Sequence, residues 1–243
     1  MSHDRLSRHD IKQDEFVSGV TSAAHWIEDN RRLVISGAVA LVCAVLLWVG
    51  GQAWWQARQE KARQALGEVE RRYHAGVQGQ QDPTFQRPTA GLSYPTPEEK
   101  YRAVLEAADA ALNSSASGAA GKQIHYYRAL ALRDLGRHEE AATALQTLLD
   151  RTLAPLPRAL ARVALAETYE AAGRWADAAA VYAALSAEPG DLFPAELALL
   201  GQARCLEREQ KLDEARALYQ KLIDAHPGSG YASEAQERLK QSG

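Results

Sequence analysis

The chain has 243 residues, enough for one large domain or two small ones. Hydrophobic residues at 46% and charged residues at 24% give the balance of a folded protein, which argues against wholesale disorder. A formal charge of −3 lacks the basic excess of a nucleic-acid binder, and two cysteines, Cys43 and Cys205, are too few for a disulfide scaffold or a structural zinc site.

Aromatic residues are 7% and alanine is abundant, a balance that favours close-packed helices over a β-sandwich. Residues 7–30 place Phe16, Val20, Ala23 and Ile27 at helical spacing, with Ser7 and Asp10 spaced like a capping box. The pattern predicts a short amphipathic helix. It serves either as a membrane-surface helix or as a docking helix for a membrane partner; the acids Asp14, Glu15, Glu28 and Asp29 suit an anionic lipid surface poorly.

From Leu33 to Trp55 run 23 residues without a charge, closed by Arg31 and Arg32 before and by Arg58 and Lys61 after. A bilayer core needs about 20 such residues in a helix, and Trp54 and Trp55 stand where indoles favour the boundary with water. A buried core helix rarely stays uncharged so long. A cleaved signal peptide would have a shorter apolar core behind a shorter start. The expectation is therefore a retained anchor. Orientation is not fixed by charge: counting Lys and Arg close to the span gives two before and five after, whereas taking the whole tail gives five against five.

Residues 57–75 continue as a helix, followed by a stretch rich in Gly, Pro and Gln that predicts a long loop or linker, and then by a helix from Pro97. Beyond that the chain repeats with a period of 37. Ala129, Ala166 and Ala203 correspond, as do Leu132, Tyr169 and Leu206; Ala141, Ala178 and Ala215; Leu145, Tyr182 and Tyr219; and Leu148, Leu185 and Leu222. Gly136 and Gly173 mark turns, and Gln210 stands one period later. Each unit predicts a helix, a tight turn and a second helix, with alanines where the two helices cross closely. Trp175 is expected to pack across its hairpin, Pro189-Gly190 to stop the second helix of the middle unit, and Ser233 to cap a last helix after Pro227.

These residues resemble the tetratricopeptide repeat: a small residue on the first helix, glycine at the turn, then alanine and an aromatic on the second helix, here Ala166, Gly173, Ala178 and Tyr182. The resemblance covers roughly residues 121–232. The period of 37 exceeds the family's 34, and the family's early aromatic on the first helix is replaced by His125, Arg162 and Leu199. The fold class expected is all-α, an N-terminal transmembrane helix followed by an α-solenoid of such hairpins, with a degraded unit ahead of the three.

No catalytic pattern emerges. The histidines are scattered, there is no phosphate loop or nucleophile elbow, and the Arg137-His138-Glu139-Glu140 run corresponds to Arg174-Trp175-Ala176-Asp177, which marks it as a solvated turn. No enzyme activity, cofactor or metal is expected. The family resemblance implies that the first helices line a groove that holds polypeptide partners. That groove would present Tyr126, Arg133 and Asp134 from the first repeat, Glu167 and Glu170 from the second, and Arg204, Glu207 and Arg208 from the third. Both signs of charge are present, which suits a polypeptide better than a purely acidic ligand.

The layout as a whole resembles the ancillary SecYEG translocon subunit family, single-pass proteins of the bacterial inner membrane with a periplasmic repeat domain. That resemblance implies a cytoplasmic tail with a short amphipathic helix at 1–32, a transmembrane helix at 33–55, a juxtamembrane helix and linker at 56–98, and a periplasmic repeat domain at 99–243. It further implies the translocon and periplasmic chaperones as partners, alongside the lipid bilayer. Two rivals remain: a coordinator of cell-envelope assembly or division, and a non-catalytic structural subunit of a larger membrane complex.

Overall fold

The computed structural model of the protein describes residues 30–78, 91–114, 116–151, 153–187 and 193–241. The expected tail helix at 7–30 and the Pro189-Gly190 stop lie outside the described residues. The chain divides into two compact units, Met1–Ala57 and Arg58–Gly243.

The described part of the first unit is the start of α1 (Arg31–Tyr73), a helix of 43 residues. Leu33, Leu41, Leu46, Leu47 and Trp48 are all more than half exposed on it. Among the described residues it is the one helix long and apolar enough to cross a membrane by length and composition. At about 1.5 Å per residue, its uncharged stretch is long enough for a hydrocarbon core of about 30 Å.

The second unit begins within the same helix. Val69 of α1 is fully buried in a cluster with Val104, Ala108 and Ile124, so the compact second unit, which starts at Arg58, includes the last turns of α1 as well as the helices that follow. The expected linker is bracketed by a short parallel pairing, β1 (Gly76–Val77) with β2 (Ser93–Tyr94), an addition to an otherwise all-α fold. α2 (Pro97–Asn113) follows: the Thr96 hydroxyl accepts the Glu99 amide at 3.2 Å, proline fills the first helical position, and Glu98 and Glu99 favour the positive end of the helix.

Three hairpins then stack: α3 (Gly118–Asp134) with α4 (His138–Leu149), α5 (Pro155–Ala171) with α6 (Trp175–Ala187), and α7 (Ala195–Arg208) with α8 (Leu212–Ala225). Each helix from α2 onward packs on the next, ending in α9 (Gly230–Gln241). All fifteen residues of the five aligned sets are buried. The alanines let paired helices approach closely and the leucines and tyrosines fill the space beside them. One apolar cluster runs from Ala129 to Ala235, and this continuous core lets hairpins that could not bury their own faces stabilise one another.

α9 starts earlier than expected. The Ser229 hydroxyl, not Ser233, accepts the Ala232 amide at 3.1 Å, because the chain already turns at Pro227-Gly228.

The turns repeat as strictly as the core. The amides of Arg137, Arg174 and Lys211 donate to the carbonyls of Leu132, Tyr169 and Leu206 at 2.9, 2.8 and 2.9 Å. This closure requires a left-handed residue at its centre, and Gly136, Gly173 and Gln210 have φ of 76°, 73° and 63°. Gln210 alone carries a Cβ there, a penalty of about 1–2 kcal/mol. Gln210→Gly is therefore expected to raise stability by about 1 kcal/mol, the extra freedom of glycine in the unfolded chain cancelling part of the gain. An increase in the urea midpoint checks this; no increase would mean the turn is held by the side chain.

Candidate groove and cleft

The eight residues selected from the sequence all stand on first helices, α3, α5 and α7, and the structure gathers them into two groups. The first is a rail of linked charges. Arg133 donates to Asp134 at 3.0 Å and, across the gap between repeats, to Glu167 at 2.6 Å. The Tyr73 phenol at the end of α1 donates to the other oxygen of Asp134 at 3.4 Å. Burial acts against the charge of Arg133, but the neighbouring Asp134 and Glu167 carboxylates together outweigh it and raise its pKa. Tyr126 is half-buried, its ring edge-on to Tyr127 at 5.8 Å, and burial with the nearby Glu167 raises its phenol. Arg133 and Asp134 are thus already committed to each other and join the degraded unit to the first two repeats. Glu167, half exposed, remains the accessible end of the rail.

The second group shares a cleft of about 240 Å³, into which Glu170, Arg204, Glu207 and Arg208 all face. Its other walls are Trp175, Cys205 and Arg238. Glu207 accepts the Tyr219 phenol at 3.1 Å and Arg238 at 3.5 Å, and Glu170 accepts the Cys205 thiol at 3.6 Å. The Arg208 guanidinium lies 5.6 Å over the Trp175 ring. Trp175 therefore reaches forward to the next repeat's first helix, as well as packing on the core. Arg238 is not among the residues selected from the sequence. The period gives no signal for it, since it stands one period after the buried Gly201, and only the structure shows its side chain reaching Glu207.

Cys205 is buried at the floor of this cleft. Burial first, then the Glu170 carboxylate, push its thiol up to about 12. In native protein at pH 8, Cys205 is expected to resist alkylation and to react once the chain is unfolded; labelling followed by mass spectrometry distinguishes the two. Rapid native labelling would mean that α7 opens locally.

The turn run Arg137–Glu140 forms surface ion pairs. Arg137 pairs with Glu140 at 2.7 Å, its counterpart Arg174 with Asp177 at 2.7 Å, and Arg174 also reaches Glu139 at 2.9 Å. Such exposed pairs contribute little stability. A larger cleft of about 410 Å³ between α2 and the first turn, lined among others by Glu98, Arg102 and Glu106, holds none of the selected residues. Among the described residues, no group of three His, Cys, Asp or Glu is placed to hold a metal ion.

A family model described as tetratricopeptide repeat matches residues 98–155, 126–192 and 163–230, together more than half of the chain. Two of these windows begin 37 residues apart, the period read from the sequence. Among solved structures, the chain is similar to nearly identical TPR-like repeats from a Podosopora anserina protein named for kinesin light chain, with a TM-score of 0.51 and 15% identity over 59% of this chain and 78% of that one. A single-substitution form of those repeats gives a TM-score of 0.49 at 16% identity over 59% and 85%. At such identity the first likeness shows the fold alone. No curated protein matches the chain.

Proposed function

The chain belongs to the tetratricopeptide repeat family, and on that premise we propose that it is a membrane-anchored scaffold, without catalysis of its own, that holds protein partners in the groove of its repeats. Repeats of this kind imply protein partners. The observation that carries the reading is the arrangement of the first helices, whose charged residues fall along three successive repeats instead of converging on one reaction centre. The anchor reading rests on the uncharged run from Leu33 to Trp55, whose large side chains stand exposed on α1 and would be costly to leave in water. Tethering raises the effective concentration of a partner near the membrane, so the groove need not bind tightly.

The layout supports a bacterial inner-membrane protein with a cytoplasmic N-terminus and periplasmic repeats, and translocon components, periplasmic chaperones or their clients as partners. A second reading, with the repeats in the cytoplasm, has one observation in its favour: Arg58, Lys61, Arg63, Arg71 and Arg72 follow the apolar run, against Arg31 and Arg32 close before it.

The groove is tested by placing a photo-crosslinking residue at Glu167, on the groove helices, and at Thr147, exposed on α4, in membranes carrying the full chain. The expected result is a discrete protein adduct from position 167 and none from 147. Equal or absent adducts, with partners lost only when residues 33–55 are exchanged for another apolar sequence, would favour the structural-subunit reading.

A further inference from the structure

Resting on the groove reading, we propose that the cleft between α5, α7 and α9 recognises an acidic side chain within a partner polypeptide, with a neighbouring apolar residue of that partner laid against Trp175. Some charges of the cleft are already matched within the chain. Glu207 is held by Tyr219 and Arg238, and Glu170 by the Cys205 thiol, so the two carboxylates are engaged by groups of the chain itself. Arg238 is likewise matched, by Glu207 at 3.5 Å and Glu234 at 4.0 Å.

Arg204 and Arg208 are different. Among the described residues neither forms an ion pair, whereas Arg128 and Arg133 on the equivalent helix of the first repeat hold Asp109 and Glu167, each at 2.6 Å. Arg208 instead lies over Trp175, a contact that steers the guanidinium without neutralising it. Three arginines against two glutamates make the cleft positive on a chain whose net charge is −3. A guanidinium fork pairs best with a planar carboxylate through two parallel hydrogen bonds. Glu170 and Glu207 in the same walls oppose a doubly charged phosphate more strongly than a singly charged carboxylate. Trp175, partly exposed at the cleft wall, offers the apolar contact beside it. α9 thereby acquires a second role, since Arg238 keeps Glu207 from neutralising Arg204 and Arg208.

The test uses the full chain in detergent micelles and three short fluorescent peptides, acetylated and amidated so that no terminal charge takes part. All share one leucine pattern and carry Glu, Gln or Lys at the remaining positions. Fluorescence anisotropy is expected to show the Glu peptide bound roughly tenfold more tightly than the Gln peptide, about the worth of one charge-assisted pair, with the advantage shrinking as salt rises. Arg204→Gln is expected to remove that preference while leaving the Gln peptide's affinity unchanged, and Arg204→Lys to restore part of it. Arg208→Gln, at an exposed position, provides the same readout without disturbing the core. Equal or tighter binding of the Gln or Lys peptide overturns the proposal and leaves the groove reading standing. A Glu preference that survives both glutamine substitutions also overturns it. Binding of none of the three contradicts both.

Discussion

A chain ending at Gly228 is expected to lose roughly 4–6 kcal/mol of stability in its repeat unit. At about 0.8 kcal/mol per buried carbon and about 1–2 kcal/mol for each partly buried large side chain, that is the worth of Ala232, Ala235, Tyr231 and Leu239 together. Ala232 and Ala235 of α9 are buried, and Tyr231 and Leu239 pack against the core cluster that contains Leu199, Tyr219 and Leu222. Without α9 the last hairpin presents that apolar face to water, which a terminal helix prevents in stacked-repeat proteins. The same cut removes Arg238 from Glu207. Urea unfolding followed by circular dichroism reads the effect as a large fall in the midpoint. An unchanged midpoint would show that α8 alone closes the core.

Gly201→Ala is expected to destabilise by about 1–2 kcal/mol, although alanine is the better helix former by about 1 kcal/mol. A Cβ at position 201 on α7 would lie 2.8–2.9 Å from the ring carbons of Tyr182 on α6, and Tyr182 has little room to retreat because it is itself buried. Overpacking of this kind costs about 1–3 kcal/mol before the helix preference is subtracted. One period earlier the corresponding positions hold Leu145 and Ala164, both buried: a smaller side chain stands on the second helix where a larger one stands on the next first helix. Tyr182→Leu combined with Gly201→Ala recreates that pair. The double variant is therefore expected to lose less than the sum of its single changes, an interaction that a double-mutant cycle measures. Simple additivity would mean that the two interfaces do not share this complementarity.

This pair shows how far the fold is legible in the sequence and where legibility stops. The period of 37, the buried alanines and the turn positions can be read because each repeat solves the same packing problem with the same residue sizes. Tyr182 reads as a core aromatic, but its dependence on Gly201 does not. Size compensation between different helices leaves no periodic mark when one partner is leucine and the other tyrosine. The turn at Gln210 is visible by position, and its left-handed backbone shows that the fold imposes the conformation even on a residue that disfavours it. The eight residues selected from the sequence for a groove all fall on the first helices α3, α5 and α7. The sequence does not separate Arg133, consumed by Asp134 and Glu167, from Arg204, which has no such ion pair among the described residues, because pairing across repeats depends on rotamers and helix offset rather than on spacing. Arg238 is hidden in the sequence because α9 reads as a cap for the core alone.

For a chain anchored as proposed, the partners that can reach the repeats depend on the side of the bilayer they occupy. The direct measurement is protease accessibility of a C-terminal tag on the full chain, compared in intact and lysed spheroplasts. Membrane-anchored periplasmic repeats predict digestion of the tag in intact spheroplasts while the chain stays with the membrane fraction. Protection until lysis would contradict that topology and move the search to cytoplasmic partners, in line with the five basic residues that follow the apolar run.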